Sequence, residues 1–240
     1  MNNNKKLLSL SLYLIFSFPV FSQQSFDPSF IKAVSVYNNA AGVNTHLYNG
    51  SEYIDYDHKI TGNPFFLDSY FADGAVVYDG IFYTDVKMFY DILHDEVVIK
   101  NYNDTALLLV KEKISAFNYA GHHFEKLIAD SSTAGIIATG FYEVLYDGNT
   151  KLYAKRKKEI VEKISTQFSE SYFSEHNDYY IFKNNTYYPV SDKRSVLRVL
   201  KDHKNELTKF IHQNKLKFRK SAEYSMIKMV SYYDGLNNTK

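Results

Sequence analysis

The sequence predicts an α+β protein built on one mainly antiparallel curved sheet or partial barrel. We expect a meander of hairpins, flanked by one N-terminal helix and two C-terminal helices. The chain contains 22 tyrosines and 18 phenylalanines but no tryptophan, and these rings favour strands because they fit a pleated, half-buried surface. Five of the ten glycines directly follow Asp or Asn, which is typical of tight hairpins spaced about ten residues apart. Residues 191–240 change to the periodicity of amphipathic helices.

The first 22 residues have the layout of a secretory signal peptide. Met1–Lys6 is polar with two lysines, Leu7–Val20 is almost unbroken apolar sequence, and Val20-Phe21-Ser22 offers residues that a signal peptidase accepts. The apolar segment is too short to span a bilayer comfortably. We therefore expect export and cleavage after Ser22.

The remaining chain is expected to form a single domain over residues 23–240. Residues 23–190 would hold a helix and the β meander, and residues 191–240 a helical pair packed on the sheet. Two short amphipathic helices are not stable alone, so we do not expect a separate helical module.

Composition excludes several classes of partner and anchor. Without Lys5 and Lys6 the 28 basic residues fall to 26 against 27 acidic ones, a net charge of −1, so the overall charge attracts neither nucleic acid nor an anionic membrane. No apolar run after residue 22 reaches the roughly 20 residues of a transmembrane helix. The absence of cysteine rules out a lipid anchor at a mature N-terminal cysteine. We expect a periplasmic or secreted protein that is not a lipoprotein.

Local signals place the predicted helices. Ser25–Gly42 is expected to be helical, with Asp27 as the cap and Pro28 in the first turn. Asp192 is expected to cap a helix over Lys193–Gln213, and Ser221 a second helix that ends at Gly235.

The predicted strands lie between these helices and are separated by turn residues, among which Asp79-Gly80 is the strongest hairpin signal. Strands are expected at Ala75–Tyr78, Ile81–Tyr83, Asp85–Ile92, Val97–Lys100, Ala106–Val110, Ile114–Tyr119, His122–Leu127, Ile136–Tyr146, Lys151–Lys155, Tyr179–Phe182 and Thr186–Val190.

No catalytic, metal or cofactor motif rises above background. The sequence lacks Gly-x-Ser-x-Gly, a thiol and a glycine-rich phosphate loop. His122 and His123 are neighbours on a predicted strand, so their side chains point to opposite faces and do not share one ion. The basic run Lys155–Lys158 is interpreted as a solvated strand end that discourages edge pairing, with a patch for envelope phosphates as the alternative. We expect no metal site, no cofactor and no catalytic residue.

Several segments occur in a familiar order: Leu47–Tyr53, Gly74–Gly80, Met88–Asp91, Asp95–Val98 and Gly140–Gly148. Together with the terminal helix pair, this order resembles a group of uncharacterised exported β-rich proteins from Gram-negative bacteria of the Bacteroidetes type. The resemblance implies export and a single β-rich domain. It implies no known activity and no catalytic residue.

These observations favour a non-enzymatic protein of the cell envelope that binds an apolar or amphipathic ligand, or another envelope protein. A concave aromatic sheet face would hold the ligand, and the candidate contacts are Tyr48, Glu52, Tyr53, Tyr90 and Asp91. One alternative is a hydrolase of envelope glycan or peptide, in which Asp91, Asp95 or Glu143 would lie in a cleft with a histidine. A second alternative is a surface structural or adhesion component.

Overall fold

The computed structural model describes residues 46–56, 59–67, 71–164 and 169–237. The predicted signal peptide and the predicted N-terminal helix Ser25–Gly42 lie outside the described residues. Within these ranges the protein has twelve strands in one sheet, and its α-helices follow the last strand. The α+β class is therefore confirmed.

The strands differ widely in length. They are β1 (Ser51–Glu52), β2 (Ile60–Thr61), β3 (Ala72–Tyr78), β4 (Ile81–Asp91), β5 (Glu96–Lys100), β6 (Ala106–Leu108), β7 (Ile114–Tyr119), β8 (His122–Leu127), β9 (Gly140–Tyr146), β10 (Lys151–Ile164), β11 (Ser169–Lys183) and β12 (Thr186–Val190).

Hairpins build most of the sheet. The strand order is β1-β6-β5-β4-β3-β7-β8-β9-β10-β11-β12, with β2 beside β11. Every pair along this order is antiparallel, but β2 runs parallel to β11, with Ser171 opposite Ile60. The sheet is therefore mixed, and the predicted meander of neighbouring strands is interrupted where β3 pairs with β7, where β1 pairs with β6 and where β2 joins β11. At the predicted turn, Asp79 and Gly80 both have positive φ, 53° and 76°, as a tight hairpin requires.

The sheet bends far enough to bring β4 and β10 together, although four strands separate them in the order. The amide of Lys158 in β10 donates to the carbonyl of Ile92, 3.2 Å away, at the end of β4. The segment 63–67 lies beside this junction, where the Phe66 amide donates to the carbonyl of Tyr90. The order nevertheless begins at β1 and ends at β12, so the described strands form an open sheet and not a closed barrel.

Aromatic rings fill the space that the bent sheet encloses. Tyr90, Phe117, Phe124 and Phe141 are each at most 1% exposed. The ring of Tyr90 lies edge-on to the other three, with centroids 5.1, 5.1 and 6.1 Å away. Edge-to-face packing of this kind stabilises a core beyond the area that it buries. The rings pack against one another, so this face is a core and not a groove for a ligand.

Three α-helices follow the sheet among the described residues: α1 (Lys193–Val199), α2 (Lys204–Gln213) and α3 (Ala222–Asn237). The predicted single helix over Lys193–Gln213 is wrong, because it breaks at Leu200 (φ −99°, ψ 38°) into a short 3₁₀ turn. The predicted cap is confirmed: the Ser195 amide donates to Asp192 at 2.7 Å. No helix in the described ranges is both long and apolar enough to cross a membrane.

The helices pack on one face of β10, β11 and β12. Leu152, Ile181 and Val190 contribute the sheet side of this second core. The helical side consists of Val196, Leu197, Leu200, Leu207, Ile211, Met226, Met229, Val230 and Tyr233. We call α1, α2, α3 and their connections, residues 192–237, the helical cap.

Two predicted strands are much longer than expected. β10 and β11 pair over fourteen residues, from Lys151 opposite Phe182 to Ile164 opposite Ser169, whereas the prediction stopped at Lys155 and began at Tyr179. Most residues from Glu159 to Ile164 and from Ser169 to His176 are exposed or half-buried. Because neither face of this ribbon is fully buried, it lacks the alternation that reveals a strand.

Candidate functional site

Asp91 organises the first polar cluster, at the end of β4. Its carboxylate is fully buried and accepts hydrogen bonds from the hydroxyls of Tyr53 (3.1 Å) and Tyr56 (2.9 Å). It also accepts from the amides of Leu93 and His94, at 2.8 and 3.2 Å. Burial, followed by the nearby Asp91 charge, raises the pKa of Tyr53. The structure therefore joins two predicted candidates, Tyr53 and Asp91, and adds Tyr56, which the sequence did not single out.

The other three candidates lie elsewhere. Tyr90 is adjacent to Asp91 and points to the opposite face of β4, where it is fully buried and donates to Asp95 at 2.5 Å. Glu52 is exposed on the short strand β1, and Tyr48 is half-buried against the aromatic core. The five candidates therefore do not share one surface.

Asp91, His94 and Glu96 are the group in the described chain whose geometry resembles a metal site. Their ligand atoms all lie within 4.8 Å of one another. The four donors to Asp91, however, use the roughly four lone-pair positions of a carboxylate. An ion would have to displace the tyrosines. Burial raises the pKa of Glu96, against an opposing effect of His94. We interpret the group as a structural cluster that stabilises the β4–β5 turn.

Asp95, in the same turn, forms a second cluster with two lysines. Lys155 of β10 donates to it at 2.6 Å and Lys111 lies 2.5 Å from its other oxygen. Lys155 also donates to the carbonyl of Phe141 at 3.0 Å. Burial lowers the pKa of Lys155, although Asp95 opposes the shift. Gly140 makes this approach possible, because a β-carbon there would lie 2.6 Å from the Lys155 amine and still closer to Asp95.

Glu143 belongs to a third cluster, centred on Arg156 of β10. Arg156 donates to Glu143 at 2.6 Å and to Glu223 of α3 at 2.7 Å. His122 lies 2.5 Å from the second oxygen of Glu143, and Tyr179 donates to Glu223 at 3.0 Å. Burial lowers the pKa of Arg156, but the two carboxylates outweigh it and raise the pKa. This cluster fastens the helical cap to the sheet.

These clusters give each carboxylate of the hydrolase hypothesis a separate structural role. Asp91 holds two tyrosines, Asp95 pairs with two lysines, and Glu143 pairs with an arginine. A hydrolytic pair needs two carboxylates facing one substrate. Among the described residues, no two of these three carboxylates share a hydrogen-bond or ion-pair partner, and they do not form such a facing pair.

The interpretation of Lys155–Lys158 as a solvated strand end is wrong, and so is the alternative of a phosphate patch. Lys155 and Arg156 are each only 7% exposed. Lys157 pairs with Asp178 at 2.5 Å, and Lys158 donates to the carbonyl of Phe65 at 2.7 Å. All four cations are therefore engaged within the protein.

A dense group of cations lies instead on the helical cap, which carries an excess of positive charge. Its Asp and Glu residues number five and its Lys and Arg residues eleven, a net charge of +6. Residues 1–191 carry 16 basic and 22 acidic residues, a net charge of −6. The cap cations are Lys193, Arg194, Arg198, Lys201, Lys204, Lys209, Lys215, Lys217, Arg219, Lys220 and Lys228.

The acidic residues of the cap mostly face the sheet or cap their own helix. Asp202 accepts from Lys183 of β11 at 3.0 Å. Asp234 accepts from the buried amide of Thr150 at 3.0 Å, and Glu223 accepts from Arg156. Asp192 caps α1. Four of the five acidic residues of the cap therefore already have partners on the sheet or in their own helix, although Asp192 and Asp202 remain exposed.

None of the eleven cations forms a salt bridge with a carboxylate in the part of the chain that the structure describes. Nine of them line two surface grooves. The loop groove, about 660 Å³, is lined by Lys193, Ile211, His212 and residues 215–220. The helix groove, about 390 Å³, is lined by Arg194, Leu197, Arg198, Lys201 and Lys204. We call these nine cations the basic face.

The sequence contained one signal for this face. The net charge of the whole chain is only +1. This near-neutral value is the sum of a negatively charged segment, residues 1–191, and the positively charged helical cap. A comparison of charge between segments reveals an asymmetry that indicates an anionic partner.

A comparison with family models, curated proteins and solved structures found no match to this chain.

Proposed function

We propose that the chain is an exported, non-enzymatic binding protein of the bacterial cell envelope, and that it binds an anionic ligand on the basic face. The observation that carries the proposal is the set of nine cations that line two grooves without a carboxylate partner. Like charges gathered on one face repel one another, and a bound anion relieves that repulsion. The export signal in residues 1–22 supports a location in the envelope.

Binding is favoured over catalysis by what the buried polar groups already do. Asp91 already accepts four hydrogen bonds, Asp95 and Glu143 already pair with cations, and none of the three lines either groove. The grooves offer cations, one histidine and apolar side chains. Such a lining, dominated by lysine and arginine, suits recognition of negative charge.

The loop groove also supports an amphipathic ligand. Its floor and walls contain Ile211, Leu216 and Phe218 beside the cations. An anion with an apolar part would contact both kinds of side chain. The expected aromatic sheet face is filled by its own rings, so the cap replaces it as the proposed binding surface.

A charge-reversal experiment tests the proposal. Fluorescent polyphosphate is titrated into the purified protein, into Lys217→Glu/Arg219→Glu, and into Lys163→Glu/Lys209→Glu. Lys163 and Lys209 are exposed and lie outside both grooves. Both double variants replace two cations by glutamate, so the control changes the net charge of the protein by the same amount as the groove variant.

We expect the wild type and the control to bind, more weakly as salt rises. The groove variant is expected to lose affinity by at least about tenfold, because each surface cation contributes about 1 kcal/mol towards an anionic partner. Equal binding by both variants would contradict the assignment to the basic face.

Export is tested separately. The full chain is expressed in a Gram-negative host, and protein recovered from the periplasm is subjected to N-terminal sequencing. We expect the sequence to begin at Gln23. Recovery of intact chain from the cytoplasm alone would contradict export.

A further inference from the structure

We infer that the anionic partner is a bilayer surface, and that the loop groove is where the protein docks on its phosphate headgroups. The inference rests on the proposed function. It goes further by naming the partner and by assigning Leu216 and Phe218 as the side chains that enter the boundary between headgroups and acyl chains.

The alternation within residues 215–220 indicates such an interface. The segment reads Lys-Leu-Lys-Phe-Arg-Lys. Its four cations are exposed, while Leu216 and Phe218 are half-buried, with one side of each packed against the core beneath the cap. A site for a soluble phosphate needs only the donors. Apolar residues interleaved with cations are typical of segments that lie in a membrane interface, where the cations meet phosphates and the apolar side chains meet the lipid.

Backbone hydrogen bonds fix the shape of the segment. The amide of Leu216 donates to the carbonyl of Ile211 (3.1 Å), and that of Lys215 to the carbonyl of His212 (3.2 Å). This is the Schellman pattern that ends a helix with one left-handed residue. Lys215 occupies that position with φ 51°, where glycine is usual. The chain therefore keeps a cation at the rim of the groove in a strained backbone conformation.

The other end of the segment is fixed as well. The amides of Lys220 and Ser221 both donate to the carbonyl of Lys217, at 3.1 and 2.9 Å. The backbone that carries these cations is therefore already ordered in the free protein. Less conformational entropy is lost when the segment binds its partner.

The extent of the basic face favours a surface over a small anion. Lys193 lines the loop groove and Arg194, the next residue, lines the helix groove, so the start of α1 contributes a cation to each. A single phosphate contacts only a few of the nine cations. An anionic bilayer presents many phosphates side by side and can contact cations of both grooves.

The absence of tryptophan from the chain permits a direct test. Phe218→Trp places one indole in the loop groove. Tyr102→Trp provides the control, because Tyr102 is 72% exposed and lies in the β5–β6 turn, outside the cap. Each variant is mixed with vesicles of phosphatidylcholine, with vesicles that also contain phosphatidylglycerol, and with soluble polyphosphate.

We expect the emission of Phe218→Trp to shift to the blue, and to be quenched by brominated acyl chains, only with vesicles that contain phosphatidylglycerol. Tyr102→Trp is expected to show neither change. Sedimentation with the same vesicles is expected to fall at least tenfold when Lys217→Glu/Arg219→Glu is added to Phe218→Trp. Circular dichroism of each variant checks that the fold is retained.

The outcomes separate this inference from the proposed function. Binding of polyphosphate without sedimentation on phosphatidylglycerol vesicles would overturn the bilayer inference and leave the anion-binding proposal standing. Binding to neither would overturn both. Equal binding to vesicles of phosphatidylcholine alone would show that charge does not direct docking, and would also overturn the inference.

Discussion

Gly140→Ala is expected to destabilise the protein, although it adds a single methyl group. Gly140 begins β9 opposite Leu127, and its missing side chain leaves the space where Lys155 and Asp95 meet. A β-carbon there would lie 2.6 Å from the Lys155 amine and would overlap the Asp95 carboxylate. Because Lys155 is only 7% exposed, the pair has little room to move.

The magnitude follows from the separation of the ion pair. The amine and carboxylate are 2.6 Å apart. At an effective dielectric constant of about 20, widening them to about 4 Å weakens their attraction by roughly 2 kcal/mol. Crowding of the neighbouring atoms adds about 1–2 kcal/mol, and the lower entropy of the unfolded chain returns up to about 1 kcal/mol. The free energy of unfolding should therefore fall by about 2–4 kcal/mol.

Gly235→Ala is the matched control. Gly235 lies near the end of α3, and a β-carbon there meets no atom within 4 Å. Alanine in place of glycine in a helix is expected to stabilise by up to about 1 kcal/mol. Urea unfolding of the wild type and both variants at pH 7, followed by circular dichroism, measures the difference. A Gly140→Ala variant within about 0.5 kcal/mol of the wild type, the range of ordinary surface changes, would refute the assigned role of Gly140.

Two further predictions concern buried polar groups. Arg156→Met removes the arginine that pairs with the buried Glu143 and should lower the free energy of unfolding by about 3–5 kcal/mol. Lys157→Met breaks a half-exposed ion pair and should lower it by no more than about 1 kcal/mol. Similar urea midpoints for the two variants would be inconsistent with this difference. Burial raises the pKa of Tyr142 to about 12, from an ordinary 10.0. Between these values the folded state holds more protons, so stability should fall with rising pH, by about 1.4 kcal/mol per pH unit from this residue alone. Urea unfolding across that range measures the slope, Tyr142→Phe should reduce it, and an unchanged slope in that variant would argue against the assignment.

Local patterns were sufficient for much of the sheet. The bounds of Ile114–Tyr119, His122–Leu127 and Thr186–Val190 agree with the prediction, and Asp79-Gly80 forms the expected turn. These elements depend on neighbours in sequence: alternation along a strand with one buried face, and a dipeptide that tolerates positive φ. The outer part of the β10–β11 ribbon was missed because its exposed faces leave no such alternation.

The polar clusters depend on contacts that local patterns do not contain. Lys155 meets Asp95 across 60 residues, and Arg156 meets Glu223 across 67. In sequence the run Lys155–Lys158 has the composition of a solvated patch, and only the packing of β10 against its neighbours buries it. The same limit applies to Tyr53, Tyr56 and Asp91, which meet across gaps of 38 and 35 residues.

By itself, the sequence determined the α+β class, the Asp79-Gly80 turn and the Asp192 cap, because those features follow from short-range geometry and from composition. The last helix runs to Asn237, two residues past its predicted end at Gly235. It also contained the charge asymmetry between residues 1–191 and the helical cap. Only the tertiary structure decided which charges are free. Asp202, Glu223 and Asp234 accept hydrogen bonds from groups of the sheet, and for the buried Asp234 this partner offsets the cost of burying a charge. The cap cations therefore remain on the outer surface, where they are available to an anionic partner.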